Sequence, residues 1–375
     1  MEMEHISTGR FTEVIKCKMK SSGNPCVLKR LTRYDVTDRC GSFVKQHFFE
    51  AARLVKNCNH PCILMQIGIT MTGWQVLEFA ECGSVDKYLR DEYRKRVASR
   101  ERRRNSALDT DCSVGTENTA AFLKRHSKLD AGRPAIDSSF DENDQDDQDW
   151  VLWMLEVSRQ LALGLAYLEE KGYVHGNVCA KNVLLMHNQK DRPAIKLADP
   201  GVRAYWKEAT THGLTGRFRS KPGMQCVLPP PWRAYEYTFG EVTEFKPNGD
   251  KWSFATTMIE LTFWCFLEVW PEDQALLREN AVLMDRYCRK NVLDVPDWMV
   301  NLNPKLLRTI TACWDTNANQ RPGFMDIVRE IVVAINSDAS HNHVPSNPVA
   351  YKVSFHDFTT ELISYAGLFL ALVDL

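Results

Sequence analysis

Apolar positions along this chain change rhythm twice. Within residues 1–90 they fall in short runs. Ile6-Ser7-Thr8-Gly9-Arg10-Phe11-Thr12-Glu13-Val14 and Cys26-Val27-Leu28-Lys29-Arg30-Leu31 predict strands, as do residues 63–70 and 74–79. Between them, residues 43–56 carry the spacing of a helix of roughly four turns. From residue 150 the period becomes helical, with Val157, Leu161, Leu165 and Leu168 repeating along one face, and helices dominate again over 250–336. A small strand-rich part followed by a larger helical part is α+β in class.

The two parts are separated by a segment of different character. Residues 91–149 are polar, with a basic cluster (Arg94, Lys95, Arg96, Arg100, Arg102, Arg103, Arg104) followed by an acidic one (Asp137, Asp141, Glu142, Asp144, Asp146, Asp147, Asp149). So few apolar groups cannot offset the entropy of ordering, which predicts a disordered insertion. The expected divisions are therefore a strand-rich part at 1–79, a connector and helix at 80–90, the insertion at 91–149, a helical part at 150–337 and a tail at 338–375. The apolar run at 362–375 is shorter than the ~20 residues a bilayer-spanning helix needs, so no transmembrane segment is expected.

Composition narrows the class further. The chain has 375 residues, 44% hydrophobic and 25% charged, which is globular. A net charge of -1 argues against a nucleic-acid surface. The 12 cysteines lack paired Cys-x-x-Cys spacing, and Cys58-x3-Cys62 has no partner pair nearby, so neither a zinc site nor a disulfide framework is indicated. Met1, Glu2, Glu4 and His5 do not open a secretory signal, and reduced thiols fit a cytoplasmic protein.

Chemistry enters at Val174-His175-Gly176-Asn177-Val178-Cys179-Ala180-Lys181-Asn182 followed by Asp199-Pro200-Gly201, which resembles a protein-kinase catalytic loop and its metal-binding motif. Trp232-Arg233-Ala234-Tyr235-Glu236, Asp250-Lys251-Trp252-Ser253-Phe254, Cys313-Trp314 and Arg321-Pro322-x-Phe324 follow in the order and at the distances found in the helical lobe of a tyrosine kinase. More narrowly, the His175–Asn182 string with Asp-Pro-Gly, the helix around Phe48-Phe49-Glu50-Ala51-Ala52 and Trp153-x-Leu155-Glu156-Val157 resemble the pseudokinase domain of the Janus kinases. The likeness runs from about Ile6 to Asn336 outside the insertion. It implies a bilobal protein-kinase fold, with a small antiparallel β-sheet and one helix in the N-lobe and a larger helical C-lobe.

Carried over residue by residue, the resemblance implies a half-retained nucleotide site. Asn177 stands where the catalytic base belongs, and an amide has no basic lone pair at neutral pH. Asn182 and Asp199 are the implied magnesium ligands, hard oxygens of the kind this ion takes beside phosphate. Of the glycine-rich loop only Gly9 remains, with Ser7 before it and Arg10 after. Lys29 is the implied phosphate contact, but its usual carboxylate partner position falls on Ala51, and Glu50 lies about 100° away around the helix. The implied hinge is Leu77-Glu78-Phe79-Ala80, where the backbone of Glu78 and Ala80 receives the adenine edge and Leu77 guards the rear. Pro200 replaces an aromatic plug, and Lys181 can reach phosphate as a point charge.

Further expectations follow from the same likeness. His175 braces the loop rather than acting as a base, Glu236 pairs with Arg321, and Tyr205, Thr210, Thr211 and Thr215 lie on the activation segment. The leading expectation is a pseudokinase that binds ATP and Mg and regulates a tyrosine-kinase partner in cytokine-receptor (JAK-STAT) signalling, peripherally associated with membrane through a receptor. The alternatives are a weakly active protein tyrosine kinase and a scaffold that binds no nucleotide.

Overall fold

The structure is a computed structural model. It describes residues 3–8, 12–32, 48–49, 51–92, 94–96, 145–189, 192–199, 230–239, 246–262, 287–290, 292, 295, 299 and 303–341. Expectations placed on Gly9, Arg10, Glu50, Pro200, Tyr205, Thr210, Thr211, Thr215, residues 97–144 and residues 342–375 lie outside these.

Five antiparallel strands form the N-terminal sheet: β1 (Glu4–Thr8), β2 (Thr12–Lys18), β3 (Pro25–Leu31), β4 (Gln66–Ile69) and β5 (Gln75–Glu78), in the order β1-β2-β3-β5-β4. The run from Ile6 to Val14, read above as one strand, is divided between two. β1 ends at Thr8 and β2 pairs back on it, with Thr8 opposite Glu13, because glycine and polar residues in mid-run favour a reversal over a continuous extended segment. The β2–β3 register sets Val14 opposite Lys29. Strand periodicity then divides the faces: Ile15 and Cys17 turn to one side, Val14 to the other.

The helical part is built on α1 (Gln145–Glu170), α2 (Tyr235–Thr238), α3 (Pro247–Thr262), α4 (Pro304–Ala312) and α5 (Phe324–His341), with a hairpin of β6 (Val183–Gln189) and β7 (Arg192–Leu197). α3 is buried at every position from Gly249 to Thr262. Its hydroxyls are satisfied internally: Thr257 donates to the Ser253 carbonyl at 2.8 Å, and Ser253 to Trp232 O at 2.7 Å. Trp252 and Trp314 fill the core, their indole N–H groups donating to Pro231 O at 3.0 Å and Thr256 Oγ1 at 3.1 Å. α4 starts on Asn303, whose side chain accepts from the N–H groups of Lys305 and Leu306 at 3.0 Å, with Pro304 in the first turn. α1 is long and apolar enough to cross a bilayer over Gln148–Glu170, yet it packs against α3, α5 and β7 as a core helix.

The flanks of the insertion differ from expectation. Residues 91–92 and 94–96 are helical, and α1 begins at Gln145 rather than at 150. Tyr88, Trp150 and Trp153 stack together, with ring centroids 4.7 Å apart for the two tryptophans and 5.0 Å for Tyr88 and Trp153, while the Arg96 guanidinium lies 5.6 Å from the Trp150 ring. These contacts join two stretches distant in sequence. Aromatic burial there offsets the ordering entropy that polar composition suggested could not be met.

Candidate functional site

The site lies where β3, β5 and β6 meet the segment after β7. Val27, Leu64, Leu77 and Ala198 form a buried apolar cluster, against which the partly exposed Val14, Phe79 and Leu184 pack. Val14 and Val27 come from the sheet and Leu184 from the β6–β7 hairpin, so the cluster is an apolar contact between the two parts. Backbone contacts hold the parts together here: Leu64 N–H donates to Leu197 O at 2.9 Å and Leu197 N–H to Cys62 O at 2.8 Å.

The loop 174–182 is held by two buried groups. Asp250, near the start of α3, accepts from His175 N–H at 2.7 Å and Gly176 N–H at 2.6 Å. His175 Nδ1 accepts from Asn177 N–H at 3.2 Å, which leaves the proton on Nε2 to be donated to Ala198 O at 3.0 Å. His175 is therefore a neutral brace between the loop and the segment entering Asp199. Gly176 takes φ +69, the left-handed region that favours glycine.

Asn182 donates its amide to Asn177 O at 2.7 Å, and its own carbonyl accepts from Ala198 N–H at 2.8 Å. These bonds set Asn177, Asn182 and Asp199 side by side. Asp199 has φ +58, a conformation a short polar side chain tolerates at some strain and one that clusters at functional positions. Its carboxylate accepts a charge-assisted hydrogen bond from Lys29 Nζ. Burial alone would raise the Asp199 pKa, but the Lys29 ammonium, with smaller help from Lys181, overrides this and holds the carboxyl below the ordinary range.

Several residues singled out from the sequence thus converge, and others contribute differently from expectation. Lys29 is buried and bound to Asp199, so it is not left without a partner as the alanine at position 51 suggested. Glu78 Oε1 accepts from Met65 N–H at 2.6 Å and from Lys196 Nζ at 2.7 Å, and its main-chain N–H donates to Met65 O at 3.2 Å. Ala80 follows β5, and Lys181 is exposed beside the loop. The side-chain amide of Asn182 is oriented by Asn177, and the Asp199 carboxylate is engaged by Lys29.

Sequence reasoning missed the cluster residues Val14, Val27, Leu184 and Ala198, which look like ordinary strand residues, and gave Asp250 no role. It also missed Glu260. This α3 carboxyl is buried and accepts from Ala180 N–H at 3.1 Å, so it clamps the same loop. Burial pushes its pKa up to about 8; Asp86 adds to the rise, while the Ala180 hydrogen bond, Trp232 and Arg90 oppose it. The unfolded carboxyl ionises at its ordinary value of 4.5, whereas the folded one keeps its proton to about 8. This group therefore lowers stability as pH rises between those values, by a few kcal/mol in order of magnitude. Glu260→Gln, which mimics the protonated form, is expected to flatten that loss. Urea melts at several pH values check it; equal pH slopes for variant and wild type would contradict it.

The kinase-like arrangement agrees with comparison to known proteins. The family model for protein tyrosine and serine/threonine kinases matches residues 1–331. The chain belongs to this kinase family. Among curated relatives of this kinase domain, tyrosine-protein kinase JAK1 of Danio rerio is 33% identical over 196 residues, 52% of this chain and 15% of the relative. Tyrosine-protein kinase JAK3 of Rattus norvegicus is 26% identical over 297 residues, 78% of this chain and 20% of the relative. The kinase domain thus spans a fifth or less of the length of these relatives. Its antiparallel N-terminal sheet and helical C-terminal part are the family's α+β fold, and the family generally uses ATP and Mg.

Proposed function

We propose that this domain is a Janus-kinase-like pseudokinase that binds ATP and regulates a tyrosine-kinase partner, with little or no phosphoryl transfer. What carries the reading is Asn177: the loop around it is held in place by Asp250, His175 and Asn182, yet the side chain at the proton-accepting position is a neutral amide. In this reading the adenine lies against the cluster of Val14, Val27, Leu77 and Leu184, with the main chain of Glu78 and Ala80 receiving its edge. Lys29, Lys181, Asn182 and Asp199 face the phosphates on this reading. Asn182 and Asp199 are the residues that would hold a magnesium ion, which would supply charge neutralisation at the phosphates.

The regulatory role, a cytokine-receptor setting, peripheral membrane association through a receptor and a cytoplasmic location are parts of the same proposal, supported by the Janus-kinase relatives. The second reading, a weakly active tyrosine kinase, is favoured by the retained bracing of the loop, because phosphoryl transfer depends mainly on positioning and electrostatics.

Thermal-shift titration with ATP, run beside a labelled phosphate-transfer assay, separates these. ATP is expected to raise the melting temperature, since a ligand at 100 times its Kd adds about 2.7 kcal/mol to the folded state. Lys29→Met is expected to abolish the shift, and transfer should not exceed that of the Lys29→Met control. Transfer well above the control favours the active enzyme. No shift at any ATP concentration favours the scaffold.

A further inference from the structure

The geometry points to a nucleotide site in which Lys29 takes the place of the divalent cation, so that triphosphate binds almost equally well with and without magnesium. This rests on the reading of the cleft as a nucleotide site. Two observations carry it. The first is the contact itself: the Lys29 ammonium is buried and donates to Asp199 Oδ1, an oxygen that a metal would otherwise take. A cation arriving at that carboxylate meets a positive charge already in place, and must displace it or share the oxygen with it.

The second observation is the charge of the site. In kinases of the ordinary pattern, carboxylates stand at the base position, at the helix position opposite the strand lysine, and at the position of Asp199. Here the first is Asn177 and the second Ala51, both neutral. Lys29 is retained and Lys181 stands where many tyrosine kinases carry arginine, so among these positions the cationic side chains outnumber the single anionic one, Asp199. A cleft with three carboxylates repels a bare triphosphate and needs metal ions to bridge the two. One with a positive excess attracts it directly. Replacing the carboxylates that make catalysis possible has also removed the reason for the cation.

Isothermal titration of the full chain with ATP, in excess magnesium and again in excess EDTA, tests this. The two dissociation constants are expected to agree within about fivefold. Binding in magnesium that weakens by more than that in EDTA overturns the inference while leaving the nucleotide reading intact. Absence of binding in both media overturns the nucleotide reading and this inference with it. Lys29→Met should weaken binding at least about tenfold in both media; wild-type affinity for that variant in EDTA contradicts the assigned role. Asn177→Asp restores one carboxylate and should increase the ratio of the EDTA to the magnesium constant. An unchanged ratio would count against the charge argument.

Discussion

Arg321→Ala is expected to lower the free energy of unfolding by about 3–5 kcal/mol, the range for breaking a buried ion pair from one side. The guanidinium has no exposed side-chain surface, and Glu236 is 23% exposed. Arg321 makes a bidentate contact with Glu236, Nη1 to Oε1 at 2.8 Å and Nη2 to Oε2 at 2.6 Å. It also donates through Nε to Asp315 O at 2.9 Å and through Nη1 to Asn248 O at 2.8 Å. Its flat face lies 5.2 Å from the centre of the Trp252 ring. Removing it leaves one carboxylate and two main-chain carbonyls without their donor, beside a core tryptophan. Lysine cannot reproduce a planar fork, so Arg321→Lys is expected to recover little of the loss. Chemical denaturation with a two-state fit measures both. A loss below about 1 kcal/mol for Arg321→Ala would show that the network adds only what a surface pair does.

The second large effect concerns catalysis. General-base assistance is typically worth roughly 100-fold to 10,000-fold in rate, and on the proposed reading the wild-type chain transfers phosphate at least that much more slowly than an ordinary kinase. Asn177→Asp alone is not expected to recover ordinary rates. Asp250, His175 and Asn182 already hold the loop, so a carboxylate at position 177 would be well placed. The remaining obstacle is Lys29, whose described carboxylate partner is Asp199 rather than a group on the helix containing Ala51. Residues that act as a unit do not contribute additively, so restoring one leaves the others limiting. Single-turnover transfer to a tyrosine peptide by wild type, Asn177→Asp and the double variant Asn177→Asp/Ala51→Glu is the measurement. Brisk turnover by the single variant would refute the expectation.

The elements legible in the sequence were those with strong local signals. Strands β3 and β5 announce themselves by β-branched and apolar runs, and α1 by its helical repeat. α3 is harder to read by periodicity because it is buried on all sides and has no polar face to contrast with an apolar one. The β6–β7 hairpin was overlooked because its turn lies in a polar stretch without the glycine pair that marks a tight hairpin. In the site, the loop motif was visible as spaced polar residues, whereas Val14, Val27 and Leu184 resemble any strand residue until the fold brings them to one cluster.

The chemical inventory was a property of the sequence by itself: an amide at position 177, an alanine at 51, and Lys29, Asn182 and Asp199 retained at kinase spacing. Side-chain identity sets which groups can take a proton or hold a cation, and no folding changes it. Tertiary structure alone decided that Lys29 and Asp199, separated by 170 positions, meet, and that Glu260 is buried against the Ala180 N–H. Charge interactions and desolvation depend on distance and burial in space, and sequence separation carries neither.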